Sequence, residues 1–397
     1  MTFTFRNCRL IPELSGEIGL TMADVLVADG NIVDIVPAGT GSCGDQELDI
    51  HGKTLLPGLI DMHVHLFSYR EDAWGNTAER IAVQPRRALD CLLFAQFLLD
   101  LGFTTIRDVG DEEHFPSFAV RDAINEGQFV GPTIYGSGVI ISGRAAGFEG
   151  CDHAMDYISN PFEMRREVRN QFAHGADFIK LYGTGSMLAI DSLPDSRLLE
   201  IDEIREAVQI AERKGSYVAS HCHGAEGIDV MIDCGVHTIE HASFITEESC
   251  KKLDGRKDVG IVPTLACSSR EMNELEGHPN LEFLDQANIR RNACIKNAYE
   301  NHDILMGWGT DFSMPSQKKR PFIEWKIRKE ELNMKNLDLL KQATINGAIL
   351  MRLEDKIGSV QIGKQADLIV VDGKPDEDIT VMYQKPAHVM KNGVLVR

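Results

Sequence analysis

The sequence predicts an α/β protein, a (β/α)8 (TIM) barrel with a small β-sandwich domain built from both termini. Two patterns in the sequence predict this fold. Through the middle of the chain, short apolar segments alternate with helix-like segments about eight times, which is typical of a barrel of parallel strands. The two ends instead contain strand-like segments joined by turns such as Asp29-Gly30 and Asn392-Gly393.

These patterns divide the chain into three parts. We expect residues 1–56 to form the first part of the sandwich, 57–344 the barrel and 345–397 the return into the sandwich, since chain ends often meet in space. Helices are predicted over 85–101, 161–174 and 201–214, the last with Asp202 and Glu203 at its start. Barrel strands are predicted to begin at Leu55, Thr104, Thr133, Asp177, Tyr217, Thr238, Gly260 and Ile304.

Composition narrows the class of protein. The chain has 41 lysine and arginine residues against 60 aspartate and glutamate residues, a formal charge of −19, and this disfavours nucleic acid and anionic membranes as partners. The sequence contains no run of about 18 apolar residues, so no membrane span is expected. The nine cysteines are scattered without a CxxC pair, which indicates neither a disulfide framework nor a zinc finger. We therefore expect a reduced, cytoplasmic enzyme that acts on a small molecule.

Polar residues of one chemical kind stand at the predicted strand ends. In a β/α barrel the carboxyl ends of the strands carry the chemistry, and neutral imidazoles with a carboxylate are typical metal ligands. His63 and His65 are two positions apart, so both face the same side of their strand. Residues of this kind occur at five strand ends, namely His63, His65, Lys180, His221, His223, His241 and Asp311.

Lys180 has two interpretations. A lysine inside a barrel has to be paired or neutral, because burial disfavours the ammonium form. A salt-bridged core lysine is the first interpretation. The second is a neutral amine that adds carbon dioxide to become a carbamate, an anionic ligand with two oxygens that can bridge two metal ions.

The motifs PGLIDMHVHL, DFIKLYGTG, SHCHG, TIEHASF and WGTDF together resemble those of the amidohydrolase superfamily. The chain is most similar to its imidazolonepropionase-like branch of metal-dependent dipeptidases that cleave Xaa-Pro and Xaa-Arg/Lys dipeptides. The resemblance implies two divalent ions, with zinc as the expected metal. It implies that His63, His65 and Asp311 bind one ion, that His221 and His241 bind the other, and that carbamylated Lys180 bridges them.

Two parts of the site are left open by the sequence. His221 and His223 share a face, so either can be the ligand; His221 matches the family position, which leaves His223 free to contact substrate. The loop after Lys180 departs from the family pattern, and loops on this face set specificity. Residues expected to contact the substrate are His223, His153, Tyr182, Arg144 and Arg197.

The expected reaction is hydrolysis of an amide bond in a dipeptide or N-acyl amino acid. Asp311 is expected to accept the proton of the metal-activated water and to deliver it to the leaving amine. A cyclic-amide hydrolase or deaminase, similar to imidazolonepropionase, is an alternative on the same scaffold. A non-catalytic scaffold is a remote alternative, since such proteins lose ligands that this chain keeps. Members of the superfamily often form homo-oligomers, and nothing in the sequence identifies an interface.

Overall fold

Strands from both ends of the chain belong to one sheet in the computed structural model, which describes residues 2–16, 18–67, 84–144, 154–187, 193–269, 271, 281–313 and 319–397. Near the beginning of the chain lie β1 (Thr2–Arg9), β2 (Met22–Ala28), β3 (Asn31–Pro37), β4 (Gln46–Asp49) and β5 (Thr54–Pro57). The barrel strands are β6 (Leu59–Val64), β7 (Phe103–Asp108), β8 (Thr133–Gly136), β9 (Ile140–Gly143), β10 (Met155–Ile158), β11 (Ile179–Tyr182), β12 (Val218–Cys222), β13 (Thr238–His241) and β14 (Gly260–Val262). The last strands are β15 (Leu368–Val371), β16 (His388–Lys391) and β17 (Val394–Leu395).

The sheet formed by the two ends has the order β17-β16-β15-β5-β1-β2-β3, with β4 pairing with β1. It is held together by a cluster of buried apolar side chains from both ends, among them Phe5, Val25, Leu55, Leu368 and Met390. The two ends of the chain therefore fold together, as the sequence indicates. The sandwich form of this domain and the three domain boundaries remain predictions.

The middle of the chain has the parallel strands of a TIM-barrel-type fold. They form two sheets, with orders β6-β7-β8 and β10-β9-β11-β12-β13-β14. An isolated parallel bridge from Asp111 to Val139 lies between them. The segment 304–313 contributes further parallel bridges, from Met306 to Ile261 and from Phe312 to Val64. All strand carboxyl ends in a parallel sheet point the same way, and this places their polar residues together.

Helices follow most of these strands and bury their apolar faces against them. The side chain of Asn160 caps the N-terminus of α3 and accepts hydrogen bonds from the backbone N–H groups of Phe162 and Glu163. Glu200 and Glu203 form a capping box at the start of α4. No helix in the described part of the chain is both long and apolar enough to cross a membrane. The helices are α1 (Gln84–Asp100), α2 (Pro116–Asn125), α3 (Pro161–Ala173), α4 (Ile201–Arg213), α5 (Ala225–Asp233), α6 (Glu247–Leu253), α7 (Leu281–Asn301), α8 (Ile323–Glu330), α9 (Asn336–Lys341) and α10 (Gly347–Leu350), with short 3-10 turns at Pro12–Leu14 and Ile379–Met382 and a π-helical turn at Gln342–Asn346.

The predicted helices agree with α1, α3 and α4 to within one residue at each end, but three predicted strands differ. The barrel strand predicted from Leu55 begins only at Leu59, because residues 54–57 form β5 and pair with β15 in the terminal sheet. The strand predicted from Thr133 is broken into β8 and β9, because Gly138 adopts a left-handed φ of 72° between them. The last predicted barrel strand is irregular. A Cβ atom on Gly307 would lie 2.5 Å from Sδ of Met62, so this segment approaches β6 too closely for side chains at every position.

Candidate metal centre

The carboxyl ends of the barrel strands bring the predicted site residues into one buried cluster. The side chains of His63 and Lys180 are 1% and 2% exposed, and those of the remaining histidines are buried or nearly so. Val64, which lies between His63 and His65, is buried in the large apolar core, as the strand period predicts. The clustered residues are His63, His65, Lys180, His221, His223, His241 and Asp311.

The nitrogen and oxygen donors form two overlapping groups. In one group the donor atoms of His221, His223 and His241 all lie within 4.8 Å of one another. In the other, the donor atoms of His63, His241 and Asp311 meet the same limit. His65 joins the second group through Asp311, whose Oδ1 lies 3.3 Å from His65 Nε2. His241 therefore stands between two sets of donors, each dense enough to hold a metal ion.

His221, in β12, and His223, just after it, both lie beside His241. The ring centroid of His221 is 4.5 Å from that of His241, and the centroid of His223 is 4.7 Å away. The geometry brings both imidazoles to the cluster and so leaves the choice of ligand open. Tyr182 stacks on His221, with ring centroids 3.7 Å apart and planes 14° apart, and this packing restricts rotation of the His221 ring.

Two of the cluster residues have a backbone conformation that side chains rarely adopt. The φ angles of His241 and Asp311 are 67° and 58°, in the left-handed region. Such residues cost about 1–3 kcal/mol each and persist where the surroundings fix them. Asp311 is fixed by its own N–H, which donates to the carbonyl oxygen of His63 at 2.7 Å. Strain of this kind at two strand ends is typical of a functional site.

Hydrogen bonds on Nδ1 orient three of the imidazoles. Nδ1 of His63 lies 2.7 Å from Oε2 of Glu240, and Nδ1 of His223 lies 2.8 Å from Oγ of Ser243. Nδ1 of His241 lies 2.5 Å from Oγ1 of Thr264. In each case Nε2 is the nitrogen left for a ligand in the barrel interior. A second ring nitrogen held in this way is typical of metal-binding histidines.

These partners were not predicted from the sequence. Glu240 directly precedes His241 in a strand, so the strand period places the two side chains on opposite faces. The left-handed φ of His241 ends that alternation, and both side chains are buried. Glu240 and Ser243 lie within the TIEHASF motif, and Thr264 follows β14. Closeness to a strand end was therefore the only feature of the sequence that could have identified these hydrogen-bond partners.

Burial and neighbouring charges shift the pKa values of the clustered histidines and of Asp311 in the direction that favours metal binding. Burial lowers the pKa of His223 to about 3 and holds the pKa values of His221 and His241 well below their usual range. Burial alone would raise the pKa of Asp311, but the neighbouring imidazoles, His63 first, bring it well below its ordinary value. Neutral imidazoles and an ionised carboxylate are the forms that bind divalent ions.

Lys180 is buried without a carboxylate partner in the described part of the chain. Burial lowers the pKa of its amine to about 8, although the carboxylates of Glu240 and Asp311 act in the opposite direction. The described residues therefore provide no salt-bridge partner for Lys180, and this disfavours the first interpretation of that residue. An amine of this kind beside a set of imidazoles and a carboxylate fits the lysine of a bridged divalent centre, so the donor set as a whole fits divalent metal ions.

The predicted substrate contacts have different surroundings. Tyr182 lies against the cluster through its stacking on His221. Arg197 donates to the carbonyl of Leu199 and lies 3.4 Å from a carboxylate oxygen of Glu200, so it has partners in its own loop. Further predicted contacts are Arg144, which is exposed with its guanidinium 4.8 Å from the ring centroid of Tyr157, and His153, which lies outside the described residues.

A sequence model of the amidohydrolase family matches residues 54–396, which include every strand of the barrel and all of the clustered donors. This chain belongs to the amidohydrolase family. Ochratoxinase from Aspergillus niger is 27% identical over 380 residues, which cover 86% of this chain and 75% of that protein. Imidazolonepropionase from Micrococcus luteus is 22% identical over 399 residues, which cover 88% of each chain.

A solved structure gives the same result. The crystal structure of a Xaa-Pro dipeptidase with bound methionine in the active site superposes with a TM-score of 0.87 and 28% identity, covering 100% of both chains. The amidohydrolase assignment and the imidazolonepropionase-like branch predicted from the motifs are thereby confirmed. Membership of the family supports a hydrolase that acts on carbon–nitrogen bonds.

Proposed function

We propose that this amidohydrolase cleaves amide bonds of small substrates at a centre of two divalent metal ions. The observation that carries the proposal is the meeting of two donor groups at His241, one containing Asp311, beside a buried Lys180. Each group offers three donors within one ion's reach, and the burial of Lys180 beside them supports an anionic bridge between the two ions. A non-catalytic scaffold has no use for such a set.

The proposed ligands follow the family pattern. His63, His65 and Asp311 hold one ion, and His221 and His241 hold the other, with Lys180 carbamylated between them and zinc as the metal. The 3.3 and 3.4 Å distances from Oδ1 of Asp311 to Nε2 of His65 and His63 support the first set. The closeness of the His221 and His241 rings supports the second.

The metal ions and Asp311 have different proposed roles in amide hydrolysis. When bound, the two ions polarise the substrate carbonyl and lower the pKa of water toward neutrality. The neighbouring imidazoles hold the pKa of Asp311 well below its usual range, so its carboxylate can take the proton of the attacking water. The same carboxyl then delivers that proton to the amine, which leaves poorly as an anion. The left-handed backbone of Asp311 holds its carboxylate at the strand end where this exchange takes place.

The substrates that we propose are Xaa-Pro or Xaa-Arg/Lys dipeptides and N-acyl amino acids. The full-length similarity to a Xaa-Pro dipeptidase structure supports this class. His223 and Tyr182 line the cluster and are the proposed substrate contacts within it. Arg144, Arg197 and His153 are the proposed contacts for the substrate carboxylate.

A second candidate function is hydrolysis of a cyclic amide, or deamination, on the same scaffold. The similarity to imidazolonepropionase over most of both chains favours it. Lys180 favours the first candidate, because a buried lysine at this position is the lysine expected of a bridged centre of two ions.

We also propose that residues 1–56 and 345–397 form one β-sandwich domain and residues 57–344 the catalytic barrel. The apolar cluster of the terminal sheet supports this division. Its buried members come from Phe3 to Leu55 and from Val360 to Met390, with none from the barrel segment among the described residues.

A substrate panel tests the proposed function. Purified protein is supplied with zinc or manganese and offered Xaa-Pro, Xaa-Arg and Xaa-Lys dipeptides, N-acyl amino acids, an imidazolone and a hydantoin. We expect turnover of linear amides that carry a free carboxylate. Turnover of the cyclic amides with all linear amides inert would contradict the first candidate and support the second.

A further inference from the structure

Glu240 joins His63 to a buried arginine. Oε2 of Glu240 lies 2.7 Å from Nδ1 of His63, and Oε1 lies 2.6 Å from Nη2 of Arg107. The side chains of Arg107 and Glu240 are fully buried, and that of His63 is 1% exposed. Each carboxylate oxygen therefore has a separate partner, and the three side chains form one continuous chain of charge-assisted hydrogen bonds.

Arg107 is fixed by further contacts. Its Nε donates to the carbonyl oxygen of Met62 at 2.7 Å, and its Nη1 donates to Oγ1 of Thr238 at 3.0 Å. Its guanidinium also lies 5.2 Å from the ring centroid of Phe178. The arginine thus connects the backbone beside His63 in β6 to the strand that carries Glu240, and it holds the carboxylate through contacts with both strands.

This arrangement determines which nitrogen of His63 carries the proton. A carboxylate only accepts hydrogen bonds, so Nδ1 of His63 has to donate to Glu240. With the proton on Nδ1, the ring presents Nε2, the atom 3.4 Å from Oδ1 of Asp311, to a metal ion. His65 differs: its Nδ1 is buried and has no hydrogen-bond partner in the described part of the chain. His63 and His65 are therefore held unequally: a carboxylate orients the ring of His63, and no such partner orients that of His65.

We propose that Glu240 and Arg107 are positioning residues that fix the tautomer and orientation of His63 and so make it the anchored metal ligand of the His63–His65 pair. The inference rests on the proposed metal centre and adds two residues to it that touch neither substrate nor metal. Partners of this kind typically account for about 10- to 100-fold in metal affinity.

The test compares Glu240→Gln with a matched control. Gln has the same shape, but its NH2 group can face His63 and donate to Nδ1, which moves the ring proton to Nε2. Asp367→Asn is the control, because Asp367 is also a buried carboxylate paired with a buried cation, Lys391, at 2.6 Å in the terminal sheet. Zinc affinity is measured by competition with a chromophoric chelator, and cobalt-substituted protein is compared by visible absorption.

We expect Glu240→Gln to weaken binding of one ion about 10- to 100-fold and to change the cobalt spectrum, with the circular dichroism of the metal-free protein retained. Asp367→Asn is expected to retain wild-type zinc affinity and spectrum. Wild-type zinc affinity and spectrum in Glu240→Gln would overturn the proposal, and so would equal losses in both variants. If wild-type protein binds no divalent ion, the proposed function fails instead.

A double variant keeps the proposal testable if Glu240→Gln leaves Arg107 unpaired and does not fold. Glu240→Gln with Arg107→Met removes both buried charges together, which is tolerated better than removal of one. We expect the double variant to fold and to retain the weakened zinc affinity. Recovery of wild-type affinity in the folded double variant would show that the pair does not position His63.

Discussion

Oδ1 of Asp311 lies 3.4 Å from Nε2 of His63, and the backbone N–H of Asp311 donates to the carbonyl oxygen of His63 at 2.7 Å. The last barrel segment and the first barrel strand thus meet through both main chain and side chain. Asp311 also has a left-handed φ of 58°, and this contact helps to hold its backbone in that conformation. The proposed proton carrier is therefore fixed against a proposed metal ligand.

Asp311→Asn is expected to abolish most amide hydrolysis. The side-chain amide of asparagine cannot accept the proton of the attacking water. Proton transfer by a positioned side chain contributes about 10²- to 10⁴-fold to the reaction rate. We expect kcat for the best substrate of the panel to fall by at least about 10²-fold, and bound metal to decrease as well, as measured by steady-state kinetics and elemental analysis. Retention of more than a tenth of wild-type kcat would show that another group moves the proton.

Lys180→Ala is expected to remove the bridge between the two ions. The variant should bind fewer than two ions per chain and lose amide hydrolysis, because the proposed carbamate is the anion that joins the two ions. Wild-type protein supplied with ¹³C-labelled carbon dioxide should show a carbamate carbonyl signal by NMR that Lys180→Ala lacks. Full activity with two bound ions in the variant would eliminate the bridging role.

The variants His221→Asn and His223→Asn test which of these two histidines at the end of β12 is the metal ligand. If His221 is the ligand and His223 contacts the substrate, His221→Asn should lose one ion, whereas His223→Asn should keep both ions and raise KM. Metal content by elemental analysis and the separate values of kcat and KM decide between them. Loss of metal in His223→Asn with metal retained in His221→Asn would reverse the assignment.

The sequence predicted the site through a single rule, that chemistry in a barrel lies at strand carboxyl ends. That rule identified His63, Lys180, His241 and Asp311 because each follows a recognisable apolar segment, and the structure brings them together. It could not identify Glu240. The strand period assigns Glu240 to the face opposite His241, and only the left-handed backbone at His241 changes that.

The fold was predictable to a similar extent. Apolar periodicity and helix capping located α1, α3 and α4, because these signals are local. The irregular last barrel segment was not predictable, because it depends on contacts between distant parts of the chain. A Cβ atom on Gly309 would lie 2.9 Å from Cβ of His63 and 2.6 Å from Cγ1 of Val262, and no local pattern shows such an approach.

His237 is expected to make the metal-free protein sensitive to acid. Burial lowers its pKa from 6.5 to about 4, and its Nε2 lies 2.8 Å from the carbonyl oxygen of Leu350. Between these pH values the unfolded chain binds a proton that the folded chain does not. The stabilising contribution is therefore complete above pH 6.5 and is lost as the pH falls through 4.

His237→Gln should reduce this pH dependence, because its amide can still donate to Leu350 but does not titrate. We expect the slope of unfolding free energy against pH to decrease by up to about 1.4 kcal/mol per pH unit between pH 4.5 and 6. Urea unfolding in the presence of chelator measures the slope. An identical slope in wild type and variant would show that His237 takes no part.

The dependence of amide hydrolysis on the number of bound metal ions tests the central claim most directly. Chelator-treated protein is titrated with zinc while bound metal and turnover of the best linear amide are recorded together. We predict an inert metal-free protein whose rate rises with zinc and reaches its maximum at two ions per chain. Full turnover in the metal-free protein, or a maximum at one ion, would contradict a centre of two metals.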